Sequence, residues 1–345
     1  MAESKVTWEV RGRGLGHGVG MGAYGAYGYA KHGFGHAKIL GHYYTGTRIT
    51  KLKGAPRVRV LLAFRSGDVS FSKATSACGR KLSAAKSYRA RRTGSSVLLV
   101  SRTGRSLARC GRRMHAGGKG RVRIGGLGAY RGALEVVPSS RGVSVVNQVE
   151  VDDYAQGSLP AEVPPSWPGP TLRAFAIAMR SIGLSSHVGG KVYNVYSDTR
   201  SQLYRGIRAE TKRTNAAVRA TRSQVITYKG RIAQTTYFPS SGGRTESGFL
   251  GAPKVPYLKS VADPYDYYAP QHQWTFRFSQ AEMNSRLGPY LRGSLRRIKV
   301  TKRGDSPRIV WARLIGTRGT TRIRGDRLSG ALGLYDRWAY FKKVG

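Results

Sequence analysis

Acidic residues are scarce in this chain: 17 Asp and Glu face 60 Lys and Arg across 345 residues, a formal net charge of +43. No acid occurs between Glu9 and Asp68, and none between Asp68 and Glu135, where sixteen Lys and Arg accumulate. So lopsided a balance points to polyanionic surroundings, whether nucleic acid, an anionic membrane surface or an acidic wall polymer. Cysteine is nearly missing too. Cys78 and Cys110 are too few for a disulfide scaffold or a four-cysteine zinc site, which leaves one bridge or two thiols. No apolar run reaches the roughly 18 residues of a membrane-spanning helix, so no such segment is expected. The opening Met1-Ala2-Glu3-Ser4-Lys5 passes directly into the alternation Val6, Trp8, Val10 with no apolar h-region, so these residues are expected to carry no export signal. Disorder is excluded by a 40% hydrophobic and 10% aromatic composition, enough to build packed cores despite the charge.

What the chain has in quantity is glycine, 46 in all, densest from Gly12 to Gly46 among His, Tyr and Ala. Beyond it, short alternating runs (58–62, 97–100, 122–124, 134–137) separated by Gly and Ser read as antiparallel strands. The texture changes near Val145. Glu150, Asp152, Asp153 and Glu162 place four acids within thirteen residues, and the proline-rich run Leu159 to Pro170 reads as a stiff loop. Pro170 then suits a first helical turn, and Leu172, Phe175, Ala176, Met179 and Ile182 follow at helical spacing, predicting a buried helix over about 170–183. A short helix is expected at 213–222, and a hairpin of 224–228 with 232–238 around Lys229-Gly230. Ser279-Gln-Ala-Glu282 resembles a capping box, strands return at 298–301 and 308–314, and a last helix lies near 327–332. Strands outnumber helices without regular alternation, which predicts a strand-rich α+β fold.

Several chemistries are excluded by their motifs. The run Gly14-Leu-Gly16-His-Gly18-Val-Gly20 lacks both the G-x-G-x-x-G spacing and the acid about 20 residues on that a dinucleotide site needs, and no Gly-Lys-Ser/Thr closes it as a phosphate loop. There is no G-x-S-x-G and no H-E-x-x-H. His17, His32, His36 and His42 cluster in sequence without nearby thiols or carboxylates, so backbone hydrogen bonding is a better reading of them than metal. His17 stands apart because glycines flank it on both sides, which would let a ligand approach the ring. Glu162, between Pro160 and Pro164 and near Val163 and Trp167, is the one suggestive acid: a carboxyl against an apolar wall has its charged form disfavoured and can donate a proton. A surface or capping role is the plain alternative.

Together these segments resemble the SpoIID/LytB family of exported bacterial wall proteins. Gly16-His-Gly-Val-Gly-Met21 with Tyr24-Gly-Ala, and Ile39 to Thr47, are similar to the family's G-H-G-V-G-M-S-Q-Y-G-A region. Tyr154 to Leu184 is similar to its P-A-E-M-P, W-P and following helix. Asp198-Thr199, Gln202, Tyr204, Glu210-Thr211, Arg213 to Ala217 and Tyr237 to Gly243 continue the likeness in order. The Gly/His segment comes first here, a permuted order relative to many relatives. The resemblance implies a segment 1–50 belonging to the family core, a basic strand-rich region 51–145 and a main domain 146–345, forming one integrated unit.

It further implies lytic transglycosylation of peptidoglycan glycan strands stripped of stem peptides, leaving 1,6-anhydro ends, with Glu162 as the acid/base. The implied substrate contacts are His17, Tyr24, Trp167, Arg180, Asp198, Tyr237, Ser240, Ser241 and Gly242. Arg180 would orient Glu162 or a sugar carboxylate, with an ion pair to Asp152 or Asp153 as its structural alternative. Gly22-Ala23, Phe175 and Ile182 replace polar groups of the family pattern. Ser197 and Ser201 stand where some relatives carry zinc-holding cysteines, so neither metal nor cofactor is expected. The competing reading is a non-catalytic wall-binding protein that enhances an N-acetylmuramoyl-L-alanine amidase. Expected partners are glycan strands and anionic wall polymers at an extracellular, wall-associated location. Specific nucleic-acid binding is not expected, since no recognised binding motif accompanies the charge.

Overall fold

The computed structural model describes residues 7–118 and 120–344. The expected non-signal character of Met1 to Lys5, and Val6 of the first alternation, lie outside the described residues. The fold is α+β and strand-rich, as the sequence pattern predicts. Its compact units divide between Thr47 and Arg48, near the first composition boundary, and between Thr235 and Thr236, with no division near 145. One unit is continuous, 48–235, and the other is discontinuous, joining the residues up to Thr47 with those from Thr236 onward.

The continuous unit holds two large sheets. A six-stranded antiparallel sheet runs in the order Ser106–Arg109, Ser96–Ser101, Ser87–Thr93, Val69–Ser72, Arg121–Ile124, Gly128–Arg131. It is drawn wholly from the acid-free stretch 69–134. Strand alternation sends Val69, Phe71, Tyr88, Ala90, Val122 and Ile124 inward, and Ser70, Arg89, Arg91, Arg121 and Arg123 to the opposite face. The second sheet has seven strands centred on Arg57–Arg65, Gly142–Glu150 and Ala133–Ser139, whose Val58, Val60, Leu134, Val136 and Val145 join the same core. Cys78 and Cys110 are bonded as a disulfide, resolving the choice that spacing left open.

The buried helix occupies Gly169–Ser185, with Pro168 as its N-cap and Leu172, Phe175, Ile177 and Met179 in the interior. A short helix, Lys212–Ala220, is capped by Thr211, whose hydroxyl accepts from the Thr214 amide. One expectation is corrected here: Leu159 to Pro170 is not entirely loop. A helix spans Val151–Glu162 with Pro160 inside its last turn. A proline there removes one intrahelical donor, and the helix stops two residues later, with Val163 N–H closing on the Leu159 carbonyl.

In the discontinuous unit the strand Thr7–Arg13 lies between Gln273–Ser279 and Ala339–Val344, antiparallel to both. A second three-stranded sheet, Leu295–Arg303, Ile309–Gly316 and Gly319–Arg324, and the helices Gln280–Leu287 and Gly325–Leu332 complete a core containing Trp8, Val10, Phe278, Met283, Leu314 and Leu328. Ser279 and Glu282 form the expected capping box. Two helices, Ala23–Lys31 and His36–Tyr43, arise where glycine content hid them. Close packing explains Gly25 and Gly28 of the first, for a Cβ at Gly25 would sit 2.1 Å from the Tyr43 hydroxyl and one at Gly28 2.3 Å from the Tyr265 carbonyl. The expected hairpin is shorter than its pattern: Gln224–Tyr228 pairs with Arg231–Ile232, whereas Tyr237–Phe238 pairs in parallel with Met21–Gly22, because the chain changes units between Thr235 and Thr236. No described helix is long and apolar enough to cross a membrane.

Candidate functional site

Glu162 is the last residue of its helix and is half-buried. Its Oε1 accepts a hydrogen bond from the Leu203 amide at 2.5 Å, which ties the carboxylate to the loop 197–204. That loop is itself anchored: Tyr204 donates from its hydroxyl to Asn147 Oδ1 at 2.6 Å, and the Tyr154 hydroxyl donates to Gln202 Oε1 at 2.7 Å. The carboxylate therefore sits between a helix end and a loop fixed to the sheet by buried side chains. A group so placed has the restricted orientation that proton transfer requires.

The other candidates of this unit fall into different environments. Arg180 is wholly buried. Its Nε bonds Asp152 Oδ1 at 2.6 Å, and its remaining nitrogens donate to the Val218 carbonyl at 2.8 Å and Thr221 Oγ1 at 3.2 Å. This is the ion pair with Asp152 named as its structural alternative; enclosed and bonded in this way, the guanidinium does not reach a sugar carboxylate. Trp167 is 9% exposed and serves mainly as packing, with its carbonyl accepting from Arg213. Asp198 stays near the surface, where bonds from Arg200 hold its carboxyl below the usual range. Sequence reasoning missed Arg200 and Tyr196: the guanidinium carbon lies 3.8 Å from the tyrosine ring centroid in the loop that also supplies the Leu203 amide. An exposed Arg two residues from an Asp carries no distinctive spacing.

The discontinuous unit brings the two other signature segments together. Leu15 bridges to Ser240, and Met21-Gly22 pair with Tyr237-Phe238. His17 is fixed between them. Nδ1 accepts from the Val19 amide at 3.1 Å, so Nε2 carries the proton and donates to the Tyr237 carbonyl at 3.1 Å. Burial lowers its pKa to about 4, keeping the ring neutral at physiological pH. Both nitrogens are thus occupied by backbone. The flanking glycines accommodate the protein itself rather than an open approach to a ligand: a Cβ on Gly18, at φ +84°, would lie 2.4 Å from the Arg308 guanidinium.

Ser240, Ser241 and Gly242 also turn inward. Asp266 Oδ2 accepts from Ser240 Oγ at 2.7 Å and the Gly242 amide at 2.8 Å, while Oδ1 accepts from the Ser241 amide at 2.8 Å. His272 Nδ1 lies 2.9 Å from the same carboxylate. The expected substrate contact at these three residues is therefore corrected: both serines are fully buried, and the turn is a nest for an internal carboxylate. Nearby Asp263, also buried, accepts from the Tyr43 hydroxyl at 2.8 Å, and burial followed by the Asp266 charge raises its pKa to about 7. Tyr24 and Tyr237 are half-buried, the Tyr24 amide donating to the Pro239 carbonyl. The clustered histidines are engaged individually: His32 stacks on Tyr265 at 4.2 Å and His42 Nε2 lies 2.8 Å from the Ala262 carbonyl. Among the described residues, no group of three or more His, Cys, Asp or Glu gathers as a metal would require.

Residues 139–228, all within the continuous unit, match the family model described as Stage II sporulation protein, SpoIID. An uncharacterized protein of Brachyspira hyodysenteriae is 33% identical over 166 residues, covering 47% of this chain and 45% of that protein. Stage II sporulation protein D of Bacillus subtilis is 26% identical over 180 residues, 47% of this chain and 52% of its own. The amidase enhancer of the same organism is 32% identical over 133 residues, 38% of this chain and 18% of its own. The chain spans about half the length, or less, of these curated relatives. The matched segment contains Glu162, Trp167, Arg180 and Asp198.

Proposed function

We propose, from the premise that this chain carries a domain of the SpoIID/LytB family, that it is a cell-wall protein cleaving peptidoglycan glycan strands by lytic transglycosylation, with Glu162 as the acid/base. The observation that carries this reading is the half-buried Glu162 carboxylate held by the Leu203 amide at the end of a helix. In its protonated form Glu162 would give its proton to the bridging glycosidic oxygen as the bond to muramic C1 breaks. As carboxylate it would then accept the proton of the C6 hydroxyl while that oxygen closes onto C1, leaving a 1,6-anhydro end. Because the nucleophile is internal to the sugar, one positioned carboxylate suffices, unlike hydrolysis with its paired acids.

The Arg-bearing outer face of the six-stranded sheet supports retention on anionic wall polymers, and a disulfide between Cys78 and Cys110 fits an oxidising, extracellular setting. The test is digestion of glycan strands denuded of stem peptides: the native protein releases anhydro-ended fragments and Glu162→Gln does not. Equal release by both would remove Glu162 from the chemistry.

A second reading, a non-catalytic enhancer of an N-acetylmuramoyl-L-alanine amidase, is favoured by Ile182, half-buried where the family pattern carries a polar tyrosine. That reading predicts glycan binding without cleavage, and amidase activity raised by the native protein and by Glu162→Gln alike.

A further inference from the structure

A cavity of about 420 Å³ lies on the outward face of the sheet formed by Gln273–Ser279, Thr7–Arg13 and Ala339–Val344, far in sequence from Glu162. Register sets its lining. Thr275, Arg11 and Tyr340 are cross-strand partners in one row, and Gln273 pairs with Arg13 in the next. Gly12 between them leaves room for Trp274, since a Cβ there would stand 2.1 Å from the indole.

Three features of this surface ask for a ligand. Tyr340 is 52% exposed yet held in place, with the Arg303 guanidinium 4.5 Å from its ring centroid and that guanidinium itself bonded to the Pro307 and Ala339 carbonyls. An open aromatic face fixed in this way is a platform for the C–H face of a pyranose. Arg13 is half-buried beside Trp338, its guanidinium carbon 5.9 Å from the ring, and among the described residues no carboxylate pairs with it. Arg11, by contrast, is already neutralised by Glu9 at 2.7 Å. A planar, unpaired guanidinium in a cavity wall matches a carboxylate bidentately. Gln273 and Thr275, in the same lining, offer an amide and a hydroxyl for hydrogen bonds to sugar hydroxyls.

We propose that this cavity is a second saccharide site, separate from Glu162, that binds a hexose bearing a carboxylate, with Tyr340 stacking on the ring and Arg13 pairing with the acid group. The inference does not depend on the transglycosylase reading, because the site contains none of that chemistry.

The experiment is ligand-observed NMR titration of the full chain with N-acetylmuramic acid, and with N-acetylglucosamine as the neutral counterpart, using the native protein, Arg13→Gln, Tyr340→Ala, Thr275→Val and Glu162→Gln. The expected result is saturable binding of the acidic sugar at least fivefold tighter than the neutral one. Arg13→Gln and Tyr340→Ala each weaken it about tenfold, and Glu162→Gln leaves it unchanged. Should Arg13→Gln fail to fold, Tyr340→Ala and Thr275→Val on the exposed face carry the test. Unchanged binding in the Tyr340 and Arg13 variants, loss in Glu162→Gln alone, or displacement by inorganic phosphate as effective as by the sugar would each overturn the proposal. A Glu162→Gln protein that has lost cleavage but keeps this binding separates the two sites.

Discussion

Arg180 and Asp152 form a 2.6 Å ion pair in which the arginine side chain has no exposure at all, while the aspartate keeps 22% of its side chain accessible. The pair links the helix Gly169–Ser185 to the start of the helix that ends in Glu162. An arginine expected to face substrate is instead part of the frame that places the catalytic candidate.

Arg180→Ala therefore acts on stability. It leaves the Asp152 carboxylate without its guanidinium partner and opens a cavity, so unfolding in urea should show a loss of about 3–5 kcal/mol. A change below about 1 kcal/mol would contradict the enclosed pairing.

Glu162→Gln should behave oppositely. The amide oxygen still accepts from the Leu203 amide, so the melting temperature is expected to stay within about 2 °C, while any acid/base contribution of roughly 10²-fold or more disappears. A large stability loss in this variant would mean that the charge itself holds the loop.

Asp263 gives a pH dependence whose sign can be worked out. Its pKa is raised from 3.8 to about 7 by burial and by Asp266, so between those values the folded state binds more protons than the unfolded one. Its stabilising contribution is complete below about pH 4 and is lost as pH rises through about 7, at about 1.4 kcal/mol per unit of separation. Asp263→Asn, which retains an acceptor for Tyr43, should flatten this slope and raise stability at pH 8. Urea unfolding of both proteins at pH 5 and pH 8 makes the comparison, and identical slopes would dismiss Asp263 as its source.

Joining residues 32 apart, the Cys78–Cys110 bond removes loop entropy from the unfolded chain worth about 4 kcal/mol. Cys78→Ser with Cys110→Ser should lower the unfolding midpoint accordingly, and added reductant should lower the native protein's while leaving the double variant's alone.

Much of the fold was legible because strand alternation and the Leu172–Ile182 spacing report burial directly, as with Val122, Ile124 and the helix Gly169–Ser185. Glycine-rich Ala23–Lys31 was not legible as helix, since its glycines reflect the approach of Tyr43 and Tyr265, contacts more than 10 and 200 residues away in sequence. Glu162 stands out in the sequence as an acid between prolines, but the amide that bonds it belongs to Leu203, and a backbone donor leaves no mark on composition. His17, Ser240 and Ser241 carried functional-looking side chains whose partners are internal: the Val19 amide and Tyr237 carbonyl for His17, the buried Asp266 for Ser240, and the Gly243 amide for Ser241.

The pairing of Thr7 with Ser279 means that the first described strand meets its partner only after 272 further residues. At 5–20 residues per second of synthesis that is roughly 15–55 s. The continuous unit 48–235 can complete its sheets in that interval, while the glycine- and tyrosine-rich leading segment has no strand to pair with. Assembly of this protein is consequently ordered in time, and the strand Thr7–Arg13, made before the continuous unit, pairs only after it.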